Sequence, residues 1–190
     1  DYLDLLRTLR NLPGVKKVFI RSGIRYDYLY YDKDETFFRE LVKYHISGQL
    51  KVAPEHVSDN ALYYMQKPSS ELYKKFVQKY YRLNKEENKN QYLVPYLMSS
   101  HPGCTEEDMA ELAVETKSLN FQLEQVQDFT PTPMTVSTET WATGYHPYTT
   151  EPVYSAKTSH DKLNQRMFFF LYKREGQQRI INGLHKIGRF

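Results

Sequence analysis

Cysteine is nearly absent from this chain of 190 residues, and other common signals are missing as well. Cys104 is the single cysteine, which excludes an internal disulfide framework and any cluster or metal site built only from cysteines of this chain. No uninterrupted apolar run approaches about 18 residues, and no basic start leads into an apolar stretch, so neither a membrane span nor a signal peptide is predicted. We therefore expect a cytoplasmic protein.

The chain also lacks a large excess of either charge. Lys and Arg number 26 against 23 Asp and Glu, so the formal net charge is +3. This balance excludes a histone-like protein or an acidic tail and gives no compositional support for phosphate-driven binding. A hydrophobic share of 40% with 15% aromatics is enough for a core, so disorder of the whole chain is not expected. Because Asp1 falls within a helical pattern, we expect a piece of a larger protein.

Apolar periodicity predicts strands that alternate with helices. The predicted strands are 15–20, 50–53, 92–98 and 123–129. The predicted helices are 2–10, 34–46, 61–65, 69–87, one that opens with 105–108, and two at the end, 159–174 and 177–187. This order is typical of parallel strands covered by helices. Residues 130–158, rich in Thr, Pro, Tyr and Ser, favour an extended arm or a linker.

Polar residues lie at or just after the carboxyl end of each predicted strand. Ligands bind at that edge in barrels and open α/β sheets, so we expect these groups to line one rim. A cation, carboxylates, hydroxyls and imidazoles suit a ligand that has both a carboxylate and a ribose. Such residues also simply begin turns, and that alternative stays open. The set is Arg21, Ser22, Glu55, His56, Ser99, Ser100, His101, Gln127 and Asp128.

Two other kinds of site, a metal or general-base site and a reactive thiol, are alternatives to a purely structural role for the residues concerned. His56 and His101 are candidates for zinc binding or general-base work, but no ligand spacing supports either. Cys104 precedes a helix start, where a thiolate is favoured, yet no partner is evident. These histidines leave a metal-dependent hydrolase as one alternative function.

A nucleic-acid-binding module is the other alternative. Tyrosine pairs such as Tyr63-Tyr64 and Tyr80-Tyr81 can stack on bases or pack between helix and sheet. The lysine-rich stretch 74–89 can contact RNA, but Glu86 and Glu87 interrupt it, as on a solvated helix face. A non-catalytic α/β interaction or RNA-binding module therefore stays open.

Three stretches resemble the fourth to sixth strands of YgiQ-type radical S-adenosylmethionine enzymes. Residues 50–59 (LKVAPEHVSD), with Leu62 and 65–67, are similar to the fourth-strand region. Residues 97–103 (LMSSHPG), followed by 105–108, are similar to the fifth, and 125–133 (QVQDFTPTP) to the sixth. The likeness extends to 21–25, 159–162 and 165–166, and so covers nearly the whole chain.

The resemblance implies a partial (β/α) barrel, the second half of a radical S-adenosylmethionine barrel, over 1–130. Residues 131–190 would form a C-terminal extension with an arm and two helices. The parent enzyme would cleave S-adenosylmethionine reductively at a 4Fe-4S cluster and start radical chemistry with the 5′-deoxyadenosyl radical. The CxxxCxxC loop that holds the cluster in this family is not in this sequence. We therefore expect the parent to be the enzyme and this piece alone to be inactive.

The resemblance also implies roles for individual residues. No catalytic residue and no metal ligand is assigned to this chain. The expected cofactor contacts are Glu55, Ser58, Lys67, Ser99, Ser100, Gln127 and Phe129. The expected substrate contacts are Arg21, His56, His101 and Asp128.

The implied half-barrel has consequences for partners. The first half of the barrel is the expected partner, and without it an apolar face and a strand edge are uncovered. We expect self-association across that face, or residues 130–158 folded over it. A cobalamin-binding-like domain upstream is also implied, whereas the substrate is not.

Overall fold

The computed structural model describes residues 2–118, 126–170, 177–186 and 188. A π-helical turn, Leu41–His45, and a 3₁₀ turn, Met167–Phe170, extend two of the α-helices. No helix in the described ranges is long and apolar enough to cross a membrane. The elements in chain order are α1 (Tyr2–Arg10), α2 (Tyr26–Tyr30), α3 (Thr36–Glu40), β1 (Gln49–Glu55), α4 (Asp59–Tyr64), α5 (Ser70–Glu86), β2 (Tyr92–Ser99), α6 (Glu106–Ser118), β3 (Val126–Asp128), α7 (Val136–Thr143), α8 (Ser159–Arg166) and α9 (Gln177–Lys186).

The strands of the described residues form one parallel sheet in the order β1-β2-β3. The register between β2 and β3 aligns Leu97 with Val126 and Ser99 with Asp128. Helices lie between successive strands in the sequence, as parallel pairing requires. The predicted α/β class is therefore confirmed, and the arrangement is consistent with part of a β/α fold.

By packing, the chain divides into two compact units. The first unit is Asp1–Ala53 with Glu71–Pro95, and the second is Pro54–Ser70 with Tyr96–Phe190. The division falls inside β1 and β2, so each unit takes one part of each strand. The boundary that the resemblance implies at residue 130 stays a prediction.

An aromatic core fills the first unit. Helix α5 buries Phe76, Tyr80 and Leu83, which are three and four residues apart and so share one face. The rings of Phe38 and Phe76 stack with centroids 5.4 Å apart, and Tyr26 packs on Phe76 at 5.5 Å. Burial of large aromatic rings is the main source of stability here.

The core of the second unit is smaller and more aliphatic. Helix α6 buries Met109, Leu112 and Ala113, and the 3₁₀ turn contributes Phe168 and Phe169. Leu97 of β2 completes this cluster, whereas Ser99, two residues on and on the same face, is also buried. The buried face of β2 therefore ends in a polar residue.

The predicted strand at 15–20 is wrong. The segment is irregular, and its backbone meets the π-helical turn: Ile20 N–H donates to the carbonyl of His45 at 2.9 Å. The His45 imidazole Nδ1 lies 2.9 Å from the Val18 carbonyl, where it stands in for a ladder hydrogen bond. A side chain and the end of a helix thus take the bonds that a neighbouring strand would have made.

The predicted helix 34–46 is also interrupted. Glu35 has a left-handed backbone (φ 58°) before α3, and the π-helical turn follows α3 directly. The predicted strand 50–53 also extends further than expected, since Pro54 lies inside β1. β1 is an edge strand of the described sheet, where the missing N–H of proline is tolerated.

The predicted arm, 130–158, contains α7. The hydroxyl of Thr135 accepts the Thr138 N–H at the start of α7, and the left-handed Gly144 ends it. Residues 119–125 and 171–176, which hold parts of a predicted strand and helix, lie outside the described residues.

Candidate functional site

The carboxyl ends of the three strands carry the predicted site residues of the second unit. Ser99 Oγ donates to Asp128 Oδ1 at 2.7 Å, and Phe129 N–H donates to the Ser99 carbonyl at 2.8 Å. His56, just after β1, lies 3.7 Å from Cys104 through Nε2 and Sγ. The structure therefore brings residues from all three strand ends together, as expected for parallel strands.

Two of these ends have an unusual backbone. Glu55, the last residue of β1, and Ser100, the first residue after β2, are left-handed with φ of 66° and 63°. Neither is glycine, so each conformation costs about 1–2 kcal/mol. Both turn the chain sharply as it leaves the sheet, and both occur where ligands bind in α/β folds.

The same two residues hold buried oxygens without a partner among the described residues. Glu55 Oε1 accepts from Lys67 Nζ at 3.4 Å, but Glu55 Oε2 accepts nothing. Ser100 Oγ is likewise unpaired, although the Ser100 N–H donates to Gln165 Oε1 at 2.7 Å. A buried polar atom without a hydrogen bond costs about 1–3 kcal/mol, so a bound group that pairs with it gains that energy.

Asp108, on α6, organises the loops around these strand ends. Its carboxylate accepts from Ser58 Oγ at 2.5 Å and from Asn60 Nδ2 at 2.9 Å. It also accepts from the Thr105 N–H and hydroxyl, both at 2.8 Å, so Thr105 and Asp108 cap the helix together. The Ser58 hydroxyl, expected to face a cofactor, is thus buried and bonded to Asp108.

His56 is buried with both ring nitrogens in contact with the protein. The Ser58 N–H donates to Nδ1 at 3.0 Å, so the neutral ring carries its proton on Nε2, which faces Cys104 Sγ. Burial lowers the pKa of His56 to about 4 and raises the pKa of the Cys104 thiol. The pair is neutral at pH 7, and Nε2–H does not act as a base toward the thiol.

His101 is also buried and held on both sides. Its Nδ1–H donates to the Pro102 carbonyl at 2.8 Å, and the Ser137 hydroxyl donates to Nε2 at 2.9 Å. The ring meets Phe129 edge-to-face at 5.0 Å, and burial lowers the pKa of His101. A substrate that contacts His56 or His101 would have to displace one of these bonds.

The remaining predicted residues differ in exposure. Gln127 is exposed, and Asp128 is half-buried, where its Oδ2 accepts from Arg166 Nη1 at 3.1 Å. Arg21 is exposed in the first unit. The structure therefore gathers the predicted residues of the second unit, and Arg21 belongs to a different compact unit.

Gln165 is a site residue that its sequence context did not assign to a role. It is fully buried on α8, accepts from the Ser100 N–H and donates to the Cys104 carbonyl at 2.7 Å. This side chain fixes the left-handed turn after β2. A lone glutamine in a polar helix gives no signal of such burial, although it falls in the stretch 165–166 of the family resemblance.

The second unit has a further pocket, away from the predicted site residues, among the described residues. A pocket of about 260 Å³ lies between α6, α8 and α9, and its lining includes Glu106, His160 and Gly183 but no predicted site residue. No group of three or more His, Cys, Asp or Glu suited to a metal ion occurs in the described part of the chain.

Comparisons with known proteins find relatives that carry the name UPF0313 protein. No protein-family model matches the chain. The chain is 56% identical over 195 aligned residues to a UPF0313 protein of Bacteroides thetaiotaomicron, and 52% identical to one of Porphyromonas gingivalis; each alignment covers 98% of this chain. A UPF0313 protein of Clostridium perfringens is 51% identical over 189 residues, the whole of this chain. The chain spans 28–32% of the length of these relatives. This chain is thus similar, from end to end, to one stretch of the longer UPF0313 proteins.

Proposed function

We propose that the chain is part of a YgiQ-type radical S-adenosylmethionine enzyme, and that the strand ends of its second unit bind S-adenosylmethionine. The motifs at 50–59, 97–103 and 125–133 support the family. The observation that carries the site is the pairing of strained backbone with unpaired buried oxygens at Glu55 and Ser100. The UPF0313 proteins match this chain along its whole length and are much longer, which supports the proposal that the chain is part of a larger enzyme.

The donor and acceptor set fits this cofactor. S-adenosylmethionine ends in an ammonium and a carboxylate and carries ribose hydroxyls. The free Glu55 Oε2 accepts from the ammonium or a ribose hydroxyl, and the Lys67 ammonium beside it meets the carboxylate. The Ser100 hydroxyl can donate or accept at the ribose. The exposed Gln127 is free to reach the adenine edge.

The other predicted cofactor contacts on these loops have a positioning role in this proposal. Ser58 and Ser99 donate to Asp108 and Asp128, and these bonds hold the loop after β1 and the end of β2 in place. In this proposal these bonds keep Glu55 and Ser100 in their strained conformations.

This chain does not hold the cluster alone. Cys104 is its single cysteine, and its thiol is buried with a raised pKa, whereas a 4Fe-4S cluster needs several thiolates. The ligands would come from the rest of the longer protein. Beside such a cluster, S-adenosylmethionine supplies hydrogen-atom abstraction from unreactive C–H bonds.

Binding of S-adenosylmethionine to the full-length protein tests the proposal. Equilibrium dialysis with the cluster reconstituted should show that Glu55→Gln and Ser100→Ala each weaken binding about tenfold, because each removes one buried hydrogen bond. The matched control is Glu107→Gln, an exposed acid on α6. Equal affinity of Glu55→Gln, Ser100→Ala and Lys67→Ala with the wild type would refute the assignment. Absence of iron and sulfide from the reconstituted protein would refute the enzyme class.

A further inference from the structure

A basic groove runs along the first unit. It consists of two open pockets of about 440 and 360 Å³ that share Ser47. The larger is lined by five cations: Arg10, Lys16, Lys17, Lys43 and Lys89. The smaller adds Arg21 and Lys51. No carboxylate is among the described residues that line either pocket.

Several of these charges are available to a ligand. Arg10 and Lys43 are paired with Glu40 and Glu87 at 3.2 and 3.5 Å. Lys16, Lys17 and Lys89 are exposed, and within the described ranges none has a carboxylate oxygen within 4.0 Å of its Nζ. The groove therefore combines two neutralised cations with a cluster of free ones, although the chain as a whole is nearly balanced.

Aromatic rings lie between the cations. Phe19, Tyr44 and Tyr92 line the groove and are 41%, 42% and 52% exposed. The Arg10 guanidinium stacks 4.1 Å from the Tyr44 centroid, and the Lys17 ammonium lies 5.8 Å from that of Phe19. Exposed rings that alternate with cations along an extended surface are the pattern by which proteins bind unpaired bases and their phosphates.

We propose that this groove binds single-stranded nucleic acid, with phosphates on Lys16, Lys17 and Lys89 and a base stacked on Phe19. Exposed rings offer stacking surfaces for nucleobases, which a lone phosphate or an acidic peptide lacks. The two joined open pockets also form an extended surface, which suits a polymer better than a small anion. The groove residues belong to the first unit, whereas the residues proposed for S-adenosylmethionine belong to the second, so this inference goes beyond that function and is tested separately.

Fluorescence anisotropy of the full-length protein with oligonucleotides on the order of ten residues long tests the groove. RNA and DNA of one sequence are the two arms, and binding in either arm supports the proposal while naming the polymer. Replacing Lys16, Lys17 and Lys89 by Ala should lower affinity tenfold or more at low salt. Loss of three phosphate contacts should also reduce the slope of log K against log salt by about 2. Phe19→Leu, which keeps bulk but loses the aromatic face, should lower affinity about fivefold.

The control replaces an equal number of exposed lysines outside the groove and outside the stretch 74–89, Lys33, Lys117 and Lys157, by Ala and should leave both affinity and salt slope unchanged. All six lysines are exposed, so the variants should keep the unfolding midpoint of the wild type. Failure of both oligonucleotides to bind at low salt would overturn the proposal. Equal affinity of the wild type and the variant with Lys16, Lys17 and Lys89 replaced would also overturn it. The same holds if heparin displaces the oligonucleotide and Phe19→Leu leaves affinity unchanged, because the groove would then bind any polyanion without using a base.

Discussion

The first unit surrounds an aromatic core with surface ion pairs, whereas the second unit buries hydrogen-bonded polar side chains where its strands end. In the first, Glu86 and Glu87 meet Arg39 at the surface while Phe38 and Phe76 stack inside. In the second, Asp108 is buried among hydroxyl and amide donors. Surface pairs contribute little, but a buried network is costly to break.

This contrast between the two units indicates where the chain can carry a function. Stability from apolar burial needs no particular partner, so the first unit is free to use its surface charges for a ligand. The second unit maintains strained backbone and unpaired oxygens at the sheet edge, which stability alone does not require.

Phe76→Ala should have the largest effect, about 4 kcal/mol lost from the free energy of unfolding, because it empties the centre of the aromatic stack. Urea unfolding followed by circular dichroism measures it. Tyr81→Ala, an exposed ring on the same helix, should cost less than about 1 kcal/mol. Similar losses in the two variants would show that the first unit does not depend on its core.

Asp108→Ala should cost about 3 kcal/mol, since it leaves donors on Ser58, Asn60 and Thr105 without their acceptor. The same unfolding measurement applies, with Glu111→Ala, an exposed acid on the same helix, as the control. If both variants unfold at the same urea concentration, the buried network does not support the second unit.

The pH dependence of stability should show the buried His56. Its folded pKa of about 4 lies below the unfolded value near 6.5, so the unfolded state takes up the proton first as pH falls. Stability from this group is complete above about pH 6.5 and is lost toward pH 4, about 3 kcal/mol in all.

His56→Gln should remove that part of the slope, because glutamine can still accept the Ser58 N–H but does not titrate. His101, whose pKa is also lowered, keeps its own share. His160→Gln, on the exposed face of α8, is the control. Superimposable stability profiles for wild type and His56→Gln between pH 7 and 4 would contradict the buried neutral ring.

Gly103→Ala tests the close packing around the loop after β2 and should lower the free energy of unfolding by about 2 kcal/mol. Gly103 is left-handed (φ 84°), and a Cβ there would lie 2.0 Å from the Tyr64 ring. Gly144 has a φ of 81° and open space around it, so an added Cβ there meets only backbone strain. Gly144→Ala should therefore lower the free energy of unfolding by about 1 kcal/mol. Thermal unfolding compares the two, and equal losses would mean that Tyr64 moves aside freely.

Much of the fold was predictable because its signals are local. The strands at β1 and β2 and the long helix α5 follow from apolar spacing, and the helix start at Thr105 follows from a hydroxyl with a carboxylate three residues on. The same kind of signal, Thr135 with Gly144, marks α7, but the surrounding Thr and Pro residues obscured it. The strand at 15–20 failed because strand formation needs a partner, and the structure supplies a helical turn and His45 instead.

The candidate site was predictable in its residue types and its place, since parallel strands end at one edge. Which oxygens are paired was not predictable: Ser58 and Ser99 bond to carboxylates, while Glu55 and Ser100 keep a free oxygen each. That choice depends on side chains dozens of residues away in sequence.

Residue types and their spacing are enough to predict the alternation of strands and helices, the polar composition of the strand ends and the absence of enough cysteine for a cluster. The folded arrangement sets which of those polar groups have hydrogen-bond partners, and it brings lysines from separate loops into one groove. Local patterns act through neighbouring residues along the chain, whereas desolvation and charge density depend on which distant residues meet.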